Sequence, residues 1–333
     1  MREFTLILTD LYFDRHPSGE PPDWPRLRAL EALLARGTVV ASREWRAWVC
    51  QRIELPTPPR IPIAAITRSA CPPPVHATPA RHWWLAQGVH LEAGVDRVYL
   101  ATEAPTLSSG EWRELERGFN AHFSTAGFRL VDGLDTQAYL VSVADLDADT
   151  TDPARVRGVD ILQALPRGAD GAALKRLMTE IQMWLHDHPV NIARAERGAV
   201  AVNGLWLWGG GQWPLEPPAT TLPVLFSDDG FLRGLWQMGG AEVAPVPQSF
   251  EAIDLTQADA TIVALASASA APESAAQALL DLERNWFQPA LAGLQRGRFG
   301  RLQVHINDRL LSLTRTRSWR WWRRTGPWFE RLA

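Results

Sequence analysis

Short apolar runs alternate along the chain with helical patterns, and this alternation sets the expected architecture. Phe4–Leu8 is an apolar run of strand length, and Leu27, Leu30, Leu33 and Leu34 follow at helical spacing up to Gly37, so the chain opens as strand, loop and helix. From Val89 the pattern is strand-like. A Ser-capped helix is predicted over Ser109–Phe123, then strands around Phe128–Leu130 and Tyr139–Val143. Leu174, Leu177, Met178, Ile181 and Leu185 again have helical spacing, and Pro189, which lacks an N–H, ends that helix. Asn191–Gly198 is charged, helix-capable and closed by glycine, and the apolar Leu205–Trp208 runs into Gly209, Gly210 and Gly211. Beyond it Val224–Phe226, Glu242–Val246 and Ala260–Leu265 read as strands, and Gly230–Gly240 and Glu273–Leu294 as helices.

Strands alternating with helices predict an α/β protein with a central, mostly parallel sheet and helices on both faces. Residues 1–88 and 166–333 are expected to build this core, and 89–165 an inserted α+β unit. Phe4–Leu8 and Leu205–Trp208 are expected to share the sheet. Gly209–Gly211 would then lie at its carboxyl edge, where open α/β sheets bind ligands. Pro56–Pro79 is proline-dense and reads as a long crossing segment, because proline lacks the donor that helix and sheet interiors need. Asp145–Asp160 concentrates acids, Thr and Pro, which is loop chemistry, without the Gly and closing Glu of a calcium loop.

A chain of 333 residues that is 46% hydrophobic can bury a sizeable core, as one large domain with an insertion or as two domains. Its formal net charge of -3 offers no whole-molecule reason to bind nucleic acid or acidic membranes, so any such binding would have to be local. The two cysteines, Cys50 and Cys71, form neither a disulfide framework nor a metal spacing and are expected to be buried thiols in a reducing compartment. The first apolar run meets Asp10 at once and no later run is long enough for a membrane span, so a soluble cytoplasmic protein is expected. His186 and His188 are two apart and point to different sides of a helix, unlike zinc-helix pairs. The C-terminal TRTRSWRWWRRTGPWFERLA interleaves arginine with Trp319, Trp321, Trp322 and Trp328. Such composition suits an interfacial membrane segment or a nucleic-acid stacking surface; the favoured expectation is that its aromatic rings dock on the core with the arginine stems outside.

His188-Pro189-Val190-Asn191, Arg194, Gly198, Asn203 and Trp206-Leu207-Trp208-Gly209 with Gly211 resemble the archaeal-type cofactor-independent phosphoglycerate mutases of the alkaline phosphatase superfamily. Thr106–Val141 looks like that family's Ser/Thr-capped helix and hairpin-like segment, and Asp23–Gly37 is similar to its first helix. The chain is also similar to a small bacterial family that includes the pathogenicity-factor regulatory protein RpfE. The mutase resemblance implies an alkaline-phosphatase-like fold with two divalent metals held by Asp and His at strand ends. Most of the matching residues are missing. Asp10 ends the first strand but is followed by Leu11 instead of Gly, and Thr67, Ser69 and Thr78 lie in no nucleophile context. Neither Asp nor His follows Leu265, Trp286 stands near the place of an Asp beside the retained Glu283, and His305 and Asp308 remain isolated.

The resemblance therefore implies a pseudoenzyme with no metal or other cofactor. It would bind a small phosphorylated or carboxylate ligand through Asn191, Arg194, Trp208, Gly209, Gly210 and Gly211, or a protein partner, in a regulatory role. Arginine's planar fork suits such anions. The alternative is an active mutase or phosphohydrolase using Mn or Mg in a rearranged site around Asp10, His305 and Asp308.

Overall fold

The structure, a computed structural model, describes residues 2–11, 24–55, 60–70, 82–102, 104–133, 138–212, 218, 221–266, 272–306 and 308–332. The chain begins β1 (Glu3–Leu8), α1 (Arg28–Arg36), β2 (Thr38–Ala41), α2 (Trp45–Arg52), α3 (Ile63–Ser69), β3 (His82–Val89), β4 (Leu91–Ala93) and β5 (Val98–Leu100). There follow α4 (Ser109–Phe123), β6 (Phe128–Asp132), β7 (Ala138–Ser142), α5 (Gly171–His186), α6 (Pro189–Glu196) and β8 (Gly204–Gln212). It continues with β9 (Val224–Phe226), α7 (Gly230–Met238), β10 (Val243–Ala244), β11 (Ala260–Leu265), α8 (Pro272–Leu282), α9 (Gln288–Arg296), β12 (Arg301–Ile306), β13 (Arg309–Thr314), α10 (Arg315–Ser318) and α11 (Trp328–Leu332). Among the described residues no helix is long and apolar enough to cross a membrane.

Met1–Pro56 with Pro217–Ala333 forms one compact unit and Thr57–Glu216 a second. The segment inserted in sequence is therefore wider than 89–165, because β3 and β8, outside those limits, carry its sheet. In unit 1 the strand order is β10-β9-β11-β1-β12-β13-β2. The first four pairings are parallel and the last two antiparallel, so β13 alone runs against the other six strands and the expected mostly parallel α/β sheet is present. At its centre Leu6 pairs with Val263 and Val304, all inaccessible to water. Such continuous apolar runs belong to strands covered on both faces. β12 and β13 pair with Ile306 opposite Arg309, and Asp308 takes a φ of 54°, a left-handed conformation that Asp tolerates better than most residues.

The expected helix over Glu273–Leu294 is realised as α8, a π-helical turn at Glu283–Phe287, and α9. The widened turn precedes Pro289, which has no N–H for an ordinary helical bond. Within that turn Glu283 is buried, and its carboxylate accepts the backbone N–H of Ala29 at 2.5 Å and of Leu30 at 3.3 Å. Leu27, the residue preceding α1, has no capping side chain, so Glu283 supplies the acceptor that the helix N-terminus needs.

Unit 2 holds the antiparallel sheet β6-β7-β3-β8 and a small hairpin β4–β5. Leu205–Trp208 lies here and not in the sheet of Phe4–Leu8. An unbroken apolar run signals a strand buried on both faces, whichever sheet contains it; α3 and α5 both pack on β8, and all four residues are buried. Gly209–Gly211 is strand interior and not an open edge loop. A Cβ on Gly210 would sit 2.4 Å from the Trp84 ring, and one on Gly211 2.8 Å from Pro62 Cα. Gly209 takes a φ of 67°. The glycines admit the close approach of Trp84 and of the chain entering α3, which interrupts the proline-dense crossing. The acidic loop covers this edge strand, as Gly209 N donates to Thr150 Oγ1 at 3.0 Å and Trp206 Nε1 to Thr151 O at 2.8 Å.

Gly210→Ala is expected to destabilise unit 2 by about 1–3 kcal/mol, the usual cost of overpacking, since the indole in its way is itself buried. Urea unfolding followed by tryptophan fluorescence measures this, and an unchanged midpoint would show that the approach is looser than described.

Candidate functional site

The residues of the mutase-like motif converge in unit 2. His188 precedes α6 with an extended backbone, its Nδ1 accepts from Val190 N at 3.3 Å, and Pro189 occupies the first turn, where no donor is needed. Pro189 thus starts one helix as well as following another. Burial lowers the His188 pKa, which keeps the ring neutral and Nδ1 free to accept. Asn191 Nδ2 donates to the carbonyls of Leu185 and Val202, both at 2.8 Å, and its Oδ1 accepts from Val202 N at 2.9 Å. Asn203 bridges in the same way to both backbone polar groups of Leu91.

Arg194 is only 3% exposed. Its Nε donates to Val200 O at 2.7 Å, and Nη1 to Thr106 O at 3.0 Å and Glu111 Oε1 at 2.7 Å. Arg197 also donates to Glu111. The cation expected to face a ligand loop is instead an internal strut. Glu111 belongs to a capping box on α4, accepting the Ser108 N–H at 2.7 Å. Burial on its own would raise the Glu111 carboxyl, but hydrogen bonds from Ser108, Arg194 and Arg197 outweigh it and lower the pKa from 4.5 to about 2. The sequence signal for Glu111 is the Ser-x-x-Glu pattern from Ser108, which marks a helix start and says nothing of a distant arginine.

The carboxyl edge of the unit 1 sheet is the second candidate, since ligands of α/β proteins gather there. Thr9 and Asp10 follow β1, Ser227 follows β9, and His305 lies near the end of β12. Trp45, 1% exposed, covers the first of these strand ends: its Nε1 donates to Thr9 O at 2.9 Å, and its ring meets Phe231 edge-on at 5.9 Å. The Arg46 guanidinium lies 4.2 Å from the Trp45 ring centroid and pairs with Glu44 at 2.7 Å. His305 is buried, with Nε2 3.1 Å from both Ser42 Oγ and Arg43 O and its ring against Trp48. Burial pushes its pKa from 6.5 down to about 4. Asp229 caps α7 by accepting from Leu232 N at 3.0 Å.

Asp10, His305 and Asp308 do not form a cation site. Among the described residues no three His, Cys, Asp or Glu converge to hold a metal. Two divalent ions need several hard ligands each, and Asp10, His305 and Asp308 alone do not supply that number. Thr67 and Ser69 lie on α3 and donate to helix carbonyls at 2.8 and 2.6 Å. Cys50 is buried, its thiol pushed up to about 12 by burial, while Cys71 and Thr78 fall outside the described residues. His186 is exposed and His188 buried, which matches the expected divergence of that pair.

Residues 81–191 match the family model of the 2,3-bisphosphoglycerate-independent phosphoglycerate mutases. A mutase of that name from Methanosarcina mazei is 34% identical over 149 residues, 42% of this chain and 37% of that protein. A probable mutase from Geobacter sulfurreducens is 26% identical over 222 residues, 60% of this chain and 55% of that protein. Among solved structures, a cofactor-independent phosphoglycerate mutase from Thermoplasma acidophilum aligns with 94% of this chain and 90% of that chain at 19% identity and a TM-score of 0.44. The chain is an α/β protein with a large, mostly parallel sheet. Over part of its length it is similar to the cofactor-independent phosphoglycerate mutases, and it spans about half or less of the length of these two curated relatives. The family match falls wholly within unit 2, whereas Asp10, Glu283, His305 and Asp308 belong to unit 1.

Arg194→Ala is expected to cost about 3–5 kcal/mol, the range for breaking a buried ion pair, read from the unfolding midpoint. Because Glu111 is held below its ordinary value, its contribution is complete above pH 4.5 and lost as pH falls toward 2; that loss should shrink in the variant. His305 gives a separate window. Its folded-state value is below the unfolded one, so stability attributable to the neutral ring is complete above pH 6.5 and declines as pH falls toward 4. His305→Gln should flatten the unfolding midpoint across that window, and an unaltered slope would assign it to other groups.

Proposed function

We propose that this protein is a non-catalytic relative of the phosphoglycerate mutases that acts by binding, in a regulatory role in the cytoplasm. The observation that carries this reading is the Trp45–Arg46 pair at the end of β1, which sets an indole and a guanidinium beside the strand end where the resemblance implies carboxylates around two cations. Arg46 also pairs with Glu44 at 2.7 Å, so that carboxylate is engaged by a guanidinium and by the start of α2. Glu283, the one acid retained from the expected helix motif, is spent on the N-terminus of α1. Of the two ligand classes, a protein partner is better supported than a small phosphorylated or carboxylate molecule, because Arg194 already faces Glu111 and two carbonyls.

The opposite reading, an active mutase or phosphohydrolase, draws on the names of the curated relatives. The two are separated with the purified full chain. We expect no interconversion of 2- and 3-phosphoglycerate with added Mn²⁺ or Mg²⁺, no stoichiometric metal by elemental analysis, and a stability change within about 0.5 kcal/mol for Asp10→Ala, as for ordinary surface positions. Two tightly held Mn or Zn ions per chain, or mutase activity abolished by Asp10→Ala, would overturn the proposal.

A further inference from the structure

Arg309 to Phe329 contains six arginines and no Asp or Glu, in a chain whose formal net charge is -3. This stretch is pinned at two places. Ser318 is fully buried, its Oγ donating to Arg315 O at 2.6 Å and its carbonyl accepting from Arg36 Nη1 at 2.9 Å. Trp328 is fully buried and its Nε1 donates to Pro25 O at 2.9 Å. Between these anchors Trp319, Trp321 and Trp322 are 58%, 78% and 64% exposed. The expected docking of the aromatic side chains on the core therefore holds for Trp328 and fails for the other three. A single exposed apolar residue needs no explanation, but three large indoles within four residues make an apolar patch of the kind that marks an interaction surface.

The charges beside this patch are open to a partner. Arg323 and Arg324 are exposed, and neither forms an ion pair among the described residues. Arg315, on the short helix entering the loop, joins Arg2 and Arg298 in lining an open pocket of about 460 Å³. Arg298 is partly neutralised by Glu251 and Arg2 interacts with Asp254, but among the described residues no carboxylate lines the pocket itself.

We propose that the loop from Ser318 to Trp328, with the arginine-lined pocket before it, is a docking surface for a membrane bearing anionic phospholipid. The indoles would sit at headgroup level, where tryptophan is favoured, and the arginines would meet lipid phosphates. α10 and α11 are only 4 and 5 residues long, so the contact is peripheral. Nucleic acid is the less suitable occupant. Trp321 and Trp322 meet at 82°, edge to face, whereas successive bases stack on ring faces presented in series. The two buried anchors hold the loop in place, which lowers the ordering cost of binding.

Co-sedimentation of the full chain with phosphatidylcholine vesicles, with and without phosphatidylserine, tests this. Binding to the phosphatidylserine vesicles should be at least about tenfold stronger, and should weaken as the Debye length falls from about 10 Å at 0.1 M salt to about 3 Å at 1 M. The double variants W321A/W322A and R323E/R324E should each reduce it by about tenfold or more, with the far-UV dichroism and unfolding midpoint of wild type, because the altered side chains are exposed. Brominated lipid should quench the fluorescence of wild type more than that of W321A/W322A. Equal or absent binding to the two vesicle types, or well-folded variants that bind like wild type, would overturn the proposal. So would tighter binding to a single-stranded oligonucleotide than to phosphatidylserine vesicles at the same salt.

Discussion

A buried guanidinium has to find acceptors wherever it sits, and in unit 2 Arg194 meets that demand by tying separate pieces of chain together. From α6 it reaches the segment that leads to β8 through Val200, the approach to α4 through Thr106, and the capping box of α4 through Glu111. Withdrawing such a charge from water costs several kcal/mol, which only good geometry recovers, so every partner is constrained by the others. Asn191 and Asn203 do the same for neighbouring backbone groups. The most recognisable motif in the chain is thereby a set of internal braces, and likeness to a mutase in this segment can persist through folding requirements alone.

Unit 1 obeys a different constraint. Its parallel strands deliver polar residues to one edge of the sheet, but the groups delivered there are engaged locally: Trp45 on the Thr9 carbonyl, His305 against Ser42 and Arg43, and Asp229 on the start of α7. Glu283, a helix residue, similarly closes the start of α1. Each is a capping or desolvated contact of the kind that stabilises an α/β core. The sheet keeps the geometry of a ligand-binding architecture, while these side chains serve the fold.

Local pattern made much of this legible. The mostly parallel sheet around Phe4–Leu8, the helices carrying Leu174–Leu185 and Ser109–Phe123, and the long helix ending near Leu294 all rest on periodicity and capping, which act between residues close in sequence. The inserted unit was legible as a strand-helix-strand-strand order, but its limits at Thr57 and Glu216 were not.

What the sequence determined by itself was therefore the kind of most elements, because that depends on residue type and short-range spacing. Only the tertiary structure decided that Leu205–Trp208 joins an antiparallel sheet, that Gly209–Gly211 makes room for Trp84 and α3, and that Arg194 is paired with Glu111. A buried strand presents the same apolar run to any sheet, a glycine looks the same in a loop and under an indole, and an arginine's partner 83 positions away leaves no trace in local spacing. The same holds at the C-terminus, where four tryptophans of equal hydrophobicity divide into one that is buried and three that face water, according to which the neighbouring chain can cover.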